Sequence, residues 1–125
     1  MQLGPLFEVI VYALDMQAQV EFYRDTLGLK VTWPTDLDDY SKEHWVTFAT
    51  DGGAVLALHS GGVDTSGTPA RFGFLVPDVA ATRQALLEAN VRCNDIREAA
   101  EGILVVDCWD PETNPFFVEQ RAMKY

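Results

Sequence analysis

The second half of this chain repeats the first, and that restricts its folding more than any other feature. Phe7 to Ala13 is apolar and rich in β-branched residues, the composition of a strand. Asp15 follows as a helix N-cap. Val20, Phe22, Tyr23 and Leu27 then recur at helical spacing until Gly28 ends the helix. Leu29 to Trp33, Trp45 to Thr50 and Ala54 to His59 read as three more strands. Pro34 to Lys42 is a polar loop between them, and Asp51-Gly52-Gly53 is a hairpin turn. After a stretch rich in Gly, Ser and Thr (residues 61–70) the order starts again. Arg71 to Val76 is a strand, and Asp78 caps a helix whose apolar stripe is Val79, Ala81, Leu86, Leu87 and Ala89. Val91 to Ile96 is a weak strand, Gly102 to Trp109 a strong one, Asp110 to Asn114 a turn and Pro115 to Gln120 the last strand.

The halves superpose in register. Asp15 falls on Asp78 and Glu8 on Arg71, 63 positions apart, while Ala57 falls on Phe117, 60 positions apart. Three extra residues in the loop around Asp36 to Ser41 account for the difference. Each copy is a βαβββ unit that cannot bury its own sheet alone. The expected fold is therefore α+β: two βαβββ modules pairing into a cupped, barrel-like mixed sheet, helices outside, over a shared cavity. One domain of residues 1–125 is expected, with module 1 at about 5–60, a linker at 61–70 and module 2 at about 71–121.

Composition narrows the partners. No apolar run approaches the roughly 20 residues of a membrane helix, and residues 1–5 lack the features of a signal peptide. A cytoplasmic protein without a membrane partner is expected. Nineteen acidic residues against nine basic ones give a net charge of −10, which argues against nucleic acid and raises the local concentration of a cationic small molecule. Cys93 and Cys108 form no CxxC motif and are expected to be buried thiols.

Strand alternation sorts the side chains. Val9, Val11, Ala13, Leu56 and Leu58 suit the helix side in the first half, and Phe72, Phe74, Val76, Phe116 and Val118 in the second. Glu8, Ile10, Tyr12, Trp45, Thr47, Val55, Ala57 and His59 then point the other way. So do Arg71, Gly73, Leu75, Val105, Asp107, Trp109, Phe117 and Glu119. This mixture of rings, aliphatics and a few charges is the make-up of a small-molecule site. The expected ligand-binding residues are Glu8, Tyr12, Trp45, Thr47, His59, Arg71, Asp107, Trp109, Phe117 and Glu119. Trp45, Trp109, Tyr12 and Phe117 are suited to stacking on a flat or cationic ligand, and equally to plain packing.

Two segments carry a resemblance to a known family. Asp15-Met16 with Phe22-Tyr23-Arg24-Asp25-Thr26-Leu27-Gly28-Leu29-Lys30-Val31 resembles the first-helix signature of the glyoxalase/bleomycin resistance/extradiol dioxygenase (vicinal oxygen chelate) superfamily. Asp110 to Phe117 resembles its last hairpin, with Thr113 where a glycine is usual. The resemblance implies the paired βαβββ fold and a homodimer. It leaves the activity open among lyases, isomerases, dioxygenases, thiol transferases and drug-sequestering binders. It also implies that metal-dependent members hold their ion at positions equivalent to Glu8, Ala57, Arg71 and Phe117. Only Glu8 is a ligand for a divalent cation, and Arg71 is a permanent cation. No metal and no cofactor are therefore expected.

If the four positions converge, Glu8 and Arg71 form an ion pair in place of the metal. In a sharper form, Arg71 holds a ligand carboxylate or enolate while Glu8 orients it or moves a proton; a rival acid/base isomerase would use Glu8 and His59. The leading expectation is a metal-free binder of an aromatic or cationic small molecule, in drug or metabolite sequestration. The alternatives are a lyase, isomerase or dioxygenase with a metal displaced onto Glu8, His59 and Glu119, and an accessory subunit without a small ligand.

Overall fold

A computed structural model of the chain describes residues 1–2, 6, 8–60 and 71–121. The expected linker at 61–70 lies outside the described residues. The chain divides into two compact units, Met1–Asp64 and Thr65–Tyr125.

In the first unit, β1 (Glu8–Tyr12) leads into α1 (Met16–Glu21), which continues as a π-helical turn over Phe22–Thr26. The Asp15 side chain accepts from the Ala18 N–H at 3.0 Å, satisfying one of the orphan donors of the first turn. At the other end Gly28 adopts φ 79°. That lets the Leu29 N–H return to the Tyr23 carbonyl at 2.9 Å. Strands β2 (Lys30–Trp33), β3 (Trp45–Ala49) and β4 (Val55–His59) follow. The sheet order is β1-β4-β3-β2, with β1 parallel to β4 and the other pairs antiparallel.

One face of this sheet carries Val11, Val46, Phe48, Leu56 and Leu58, all buried. Tyr23 packs on Phe48 with ring centroids 6.1 Å apart, so this is the helix side. Full burial of Val20, Tyr23, Phe48 and Leu58 contributes about 1.5–3 kcal/mol per aliphatic or aromatic side chain. The loop after β2 is tied down by Tyr40, which is 2% exposed although it lies in a polar segment. Its hydroxyl donates to the Pro34 carbonyl at 2.9 Å, and its N–H donates to Gln17 Oε1 at 2.6 Å.

The second unit runs β5 (Phe72–Leu75), α2 (Val79–Glu88), β6 (Arg92–Cys93), β7 (Arg97–Ala100), β8 (Ile103–Trp109) and β9 (Pro115–Arg121). Asp78 caps α2 as Asp15 caps α1, accepting from the Ala81 N–H at 3.1 Å. The Val79 N–H donates to Gln120 Oε1 at 2.9 Å, fixing the start of α2 to β9. The path is β5-β9-β8-β6, with β7 also on β8, and β5 is parallel to β9 as β1 is to β4. Phe72, Phe74 and Phe116 form one ring cluster, Phe72 stacked on Phe116 at 6.2 Å.

Two local expectations need correcting. The weak strand expected over Val91–Ile96 forms over only Arg92–Cys93. A further strand, Arg97–Ala100, pairs with the first half of β8. Arg-Glu-Ala-Ala has little strand propensity, and its pairing comes from the seven-residue length of β8, which offers backbone partners beyond β6. No helix among the described residues is long and apolar enough to cross a membrane.

Candidate functional site

Each sheet has a far face, turned from its own helix; strand register places nine of the ten expected residues there, and Arg71, just before β5, reaches that face through Asp107. In the first unit, Tyr12 pairs with His59 and His59 with Trp45, forming one row across three strands. Their rings meet edge to face: Tyr12–His59 centroids are 5.6 Å apart and Trp45–His59 centroids 5.8 Å. The imidazole thus sits between two larger rings, within the range where such pairs attract. The next row joins Ile10, Ala57 and Thr47, and Thr47 Oγ1 meets Thr32 Oγ1 at 2.8 Å. Glu8 pairs with Val55 at the opposite end of β1.

That register separates Glu8 from His59. Their positions differ by four residues along the paired strands, about 13 Å at ~3.3 Å per residue. Two side chains projecting from one sheet face at that spacing do not share an ion or a proton. A displaced metal site, or an acid/base pair, built on Glu8 and His59 is not brought together.

In the second unit, Gly73, Phe117 and Asp107 form one row, and Leu75, Glu119, Val105 and Arg97 the next. Asp107 is the hub. Its Oδ2 accepts from Arg97 Nε at 2.8 Å and its Oδ1 from Arg97 Nη2 at 3.3 Å. Arg71 Nη2 also donates to Oδ1. The Arg97 hydrogen bond, with that from Arg71 and the charges of both, holds the Asp107 carboxyl below its ordinary range, against the opposing effect of burial. Arg71 therefore has its partner within its own unit, in Asp107.

Glu119 is buried and paired with Arg121. The two acids of this face that were expected to attract a cation, Asp107 and Glu119, are thus both met by arginine. The Arg71 guanidinium carbon lies 5.9 Å from the Phe117 ring centroid, and that of Arg92 lies 4.2 Å from the Trp109 ring. Both are within cation–π reach.

Arg92, Arg97 and Arg121 were missed by sequence reasoning. The signal available was their number: with Arg71 they are four of the nine basic residues of the chain. Placing them on one face needed the strand that sequence reasoning did not find and the register of β8.

Of the four positions where metal-dependent relatives hold an ion, Glu8 alone offers a donor. Ala57 is fully buried and has none, Phe117 has none, and Arg71 is a cation bound to Asp107. These residues do not fit the metal that the fold family implies. A separate groove of about 560 Å³ in the first unit is lined by Arg24, Lys30, Thr35, Asp36 and Tyr40 among others, and by none of the ten expected residues.

Cys93 and Cys108 stand opposite each other in the β6–β8 register, both as free thiols. Cys108 is buried and Cys93 half-buried. Burial, together with the neighbouring Cys93, pushes the Cys108 thiol far above its ordinary range.

With this geometry in place, the likeness to known proteins is informative. The model of the Glyoxalase/Bleomycin resistance protein/Dioxygenase superfamily matches residues 6–114. No curated protein matches. Among solved structures, a glyoxalase family protein from Bacillus anthracis superposes with TM-score 0.76 at 15% identity, covering 97% of this chain and 98% of that one. TnmS3, an antibiotic binding protein from Streptomyces sp. CB03234, gives TM-score 0.76 at 21% identity, with 98% and 99% covered. Lactoylglutathione lyase from Agrobacterium tumefaciens gives 0.72 at 21%, with 96% of each covered. At these identities the structural likeness speaks for the fold alone, and an enzyme and a binder share it equally. The family match spans most of the sequence, and the chain belongs to the glyoxalase/bleomycin resistance protein/dioxygenase superfamily.

Proposed function

We propose that this chain is a metal-independent small-molecule-binding protein that takes a flat aromatic ligand on a far sheet face, in a sequestering or carrier role. One observation carries the reading. At the positions where metal-dependent relatives place ligands, this chain has a fully buried alanine, a phenylalanine and an arginine bound to Asp107. Beside them lie stacking surfaces: Tyr12, His59 and Trp45 in one row, and Phe117 and Trp109 each under a guanidinium. Rings held by a sheet bind flat molecules with little loss of side-chain entropy.

The same fold serves antibiotic binding in the Streptomyces protein TnmS3, so a binder needs no addition to the architecture. The acid/base and displaced-metal readings draw less support. Glu8 and His59 are separated by register, and Glu119 is committed to Arg121. In keeping with its family and length, the acting species is taken to be a homodimer, which sedimentation velocity tests.

Thermal-shift screening of the purified chain against flat aromatic metabolites and antibiotics tests the reading. A true ligand present at 100 times its Kd stabilises by about 2.7 kcal/mol, several degrees for a chain of this size. No stabilisation across a broad panel contradicts it. So does stoichiometric iron, manganese, nickel or zinc in protein purified without chelator.

A further inference from the structure

We propose that the ligand of this site is an anion, an aromatic carboxylate whose charged group is held by Arg71 and Arg97 while its ring system lies on Phe117 and Trp109. The inference rests on the binder reading above and names its ligand class. It departs from what the charge of the chain suggests, since a net −10 favours a cation.

The far face of the second sheet runs against that total. Among its described strand residues it carries Arg92, Arg97 and Arg121 against Asp107 and Glu119, and Arg71, just before β5, joins them through its contact with Asp107. Register and contact fix each one. Arg92 pairs with Trp109 in register and sits over its ring. Arg97 and Arg71 meet Asp107, and Arg121 meets Glu119. The face therefore keeps two positive charges in excess.

The Arg71–Asp107–Arg97 cluster is built in a particular way. The Asp107 side chain is 12% exposed, while those of Arg71 and Arg97 are 44% and 50% exposed. The carboxylate lies low and the two guanidiniums stand out from it. Asp107 takes one nitrogen of Arg71 and two of Arg97. Each guanidinium has five N–H donors in a rigid fork, so both keep donors that Asp107 does not use. One carboxylate between two guanidiniums leaves a net single positive charge. It also fixes the forks before a ligand arrives, which lowers the ordering cost of binding. A second carboxylate, bridging the two forks from the exposed side, completes the charge balance and gains charge-assisted hydrogen bonds.

The apolar part of the ligand is placed by the same register. Phe117 is the cross-strand partner of Asp107, and Trp109 is two residues further along β8, about 6.6 Å away on the same face. Those distances suit a two-ring aromatic acid. A neutral amide forgoes the charge-assisted bonds, and an amidinium meets two guanidiniums and is repelled.

An isosteric series tests this: 2-naphthoate, 2-naphthamide and 2-naphthamidine, titrated into the full-length chain by calorimetry at fixed ionic strength. The expected order is naphthoate at least tenfold tighter than the amide, with the amidine weakest. Arg97→Gln and Arg71→Gln, checked for folding by circular dichroism, are expected to bring naphthoate to within about twofold of the amide measured on the same variant. Arg97→Lys is expected to restore part of the preference. Equal binding of the amide and the acid overturns the anion assignment and leaves the binder reading intact. Tightest binding by the amidine overturns it in favour of a cationic ligand. No binding by any of the three overturns the assignment, and the reading beneath it falls as well if the broad thermal-shift panel also gives no stabilisation.

Discussion

The ring of Phe117 lies over Gly73, its register partner on the neighbouring parallel strand. A methyl group added at Gly73 would stand 2.1 Å from the nearest ring carbon, far inside any tolerated contact. The absence of a side chain at position 73 is therefore what leaves room for the Phe117 ring over that position. Gly73→Ala is expected to swing the ring out rather than disrupt the strand, because the clash is with the far end of a side chain. Ligand affinity should fall about tenfold while stability changes by less than about 1 kcal/mol, since alanine also gains some strand propensity over glycine. Calorimetry beside urea unfolding separates the two effects.

Asp107 makes part of the acid stability. Its folded carboxyl titrates below the ordinary value, whereas in the unfolded chain it titrates near 3.9. A depressed carboxylate contributes stability that is fully present above the unfolded value and is lost as pH falls through the folded one. Unfolding free energy is expected to decline below about pH 4, and less steeply in Asp107→Asn. At pH 7 that variant should be about 1–2 kcal/mol less stable, a modest figure because both arginines are half exposed. Urea titrations at pH 7 and pH 3 check both points.

Thr113 occupies a glycine's place. Its φ is 65°, a left-handed conformation that costs a side-chain-bearing residue about 1–2 kcal/mol. The turn is held regardless, because buried Asp110 accepts from the N–H groups of Glu112 and Asn114, both at 2.9 Å. Thr113→Gly is expected to stabilise the chain by up to about 1 kcal/mol, the relief being offset by the greater freedom of glycine in the unfolded state. Asp110→Ala should cost about 2 kcal/mol, because it leaves the turn's donors unsatisfied. Thermal melts of the two variants should move in opposite directions.

The two thiols should differ in reactivity. Cys108 is buried and its thiol is held protonated, so thiolate formation needs unfolding. Iodoacetamide is expected to label Cys93 first, with Cys108 modified only in denaturant, as read by peptide mass spectrometry. Equal labelling in the native state contradicts the burial described.

Much of this architecture was legible because its causes are local. Asp15 and Asp78 cap their helices through their own side chains. Alternation in β1, β3, β4, β8 and β9 sorts helix-facing from far-facing residues, because the strand period admits only two faces. The exceptions depend on partners distant in sequence. Arg97–Ala100 is a strand because β8 is long enough to pair with it, and nothing in Arg-Glu-Ala-Ala announces that. Tyr40 is buried in a polar loop through Gln17 and Pro34. Repeat symmetry set Arg71 against Glu8, its counterpart, whereas the register of β8 against β9 gives it Asp107. Residue types on the faces could be read from the sequence, but the pairing of charges could not, because register is a property of strands together.

The central claim is that a far sheet face binds an aromatic ligand without a metal. Calorimetric titration of chelator-treated protein with 2-naphthoate, repeated after adding zinc, nickel, manganese or iron(II), tests it most directly. The account predicts saturable binding in the chelated protein, unchanged by any of the ions and weakened at least tenfold in Phe117→Ala. Binding that appears only once an ion is added would contradict it.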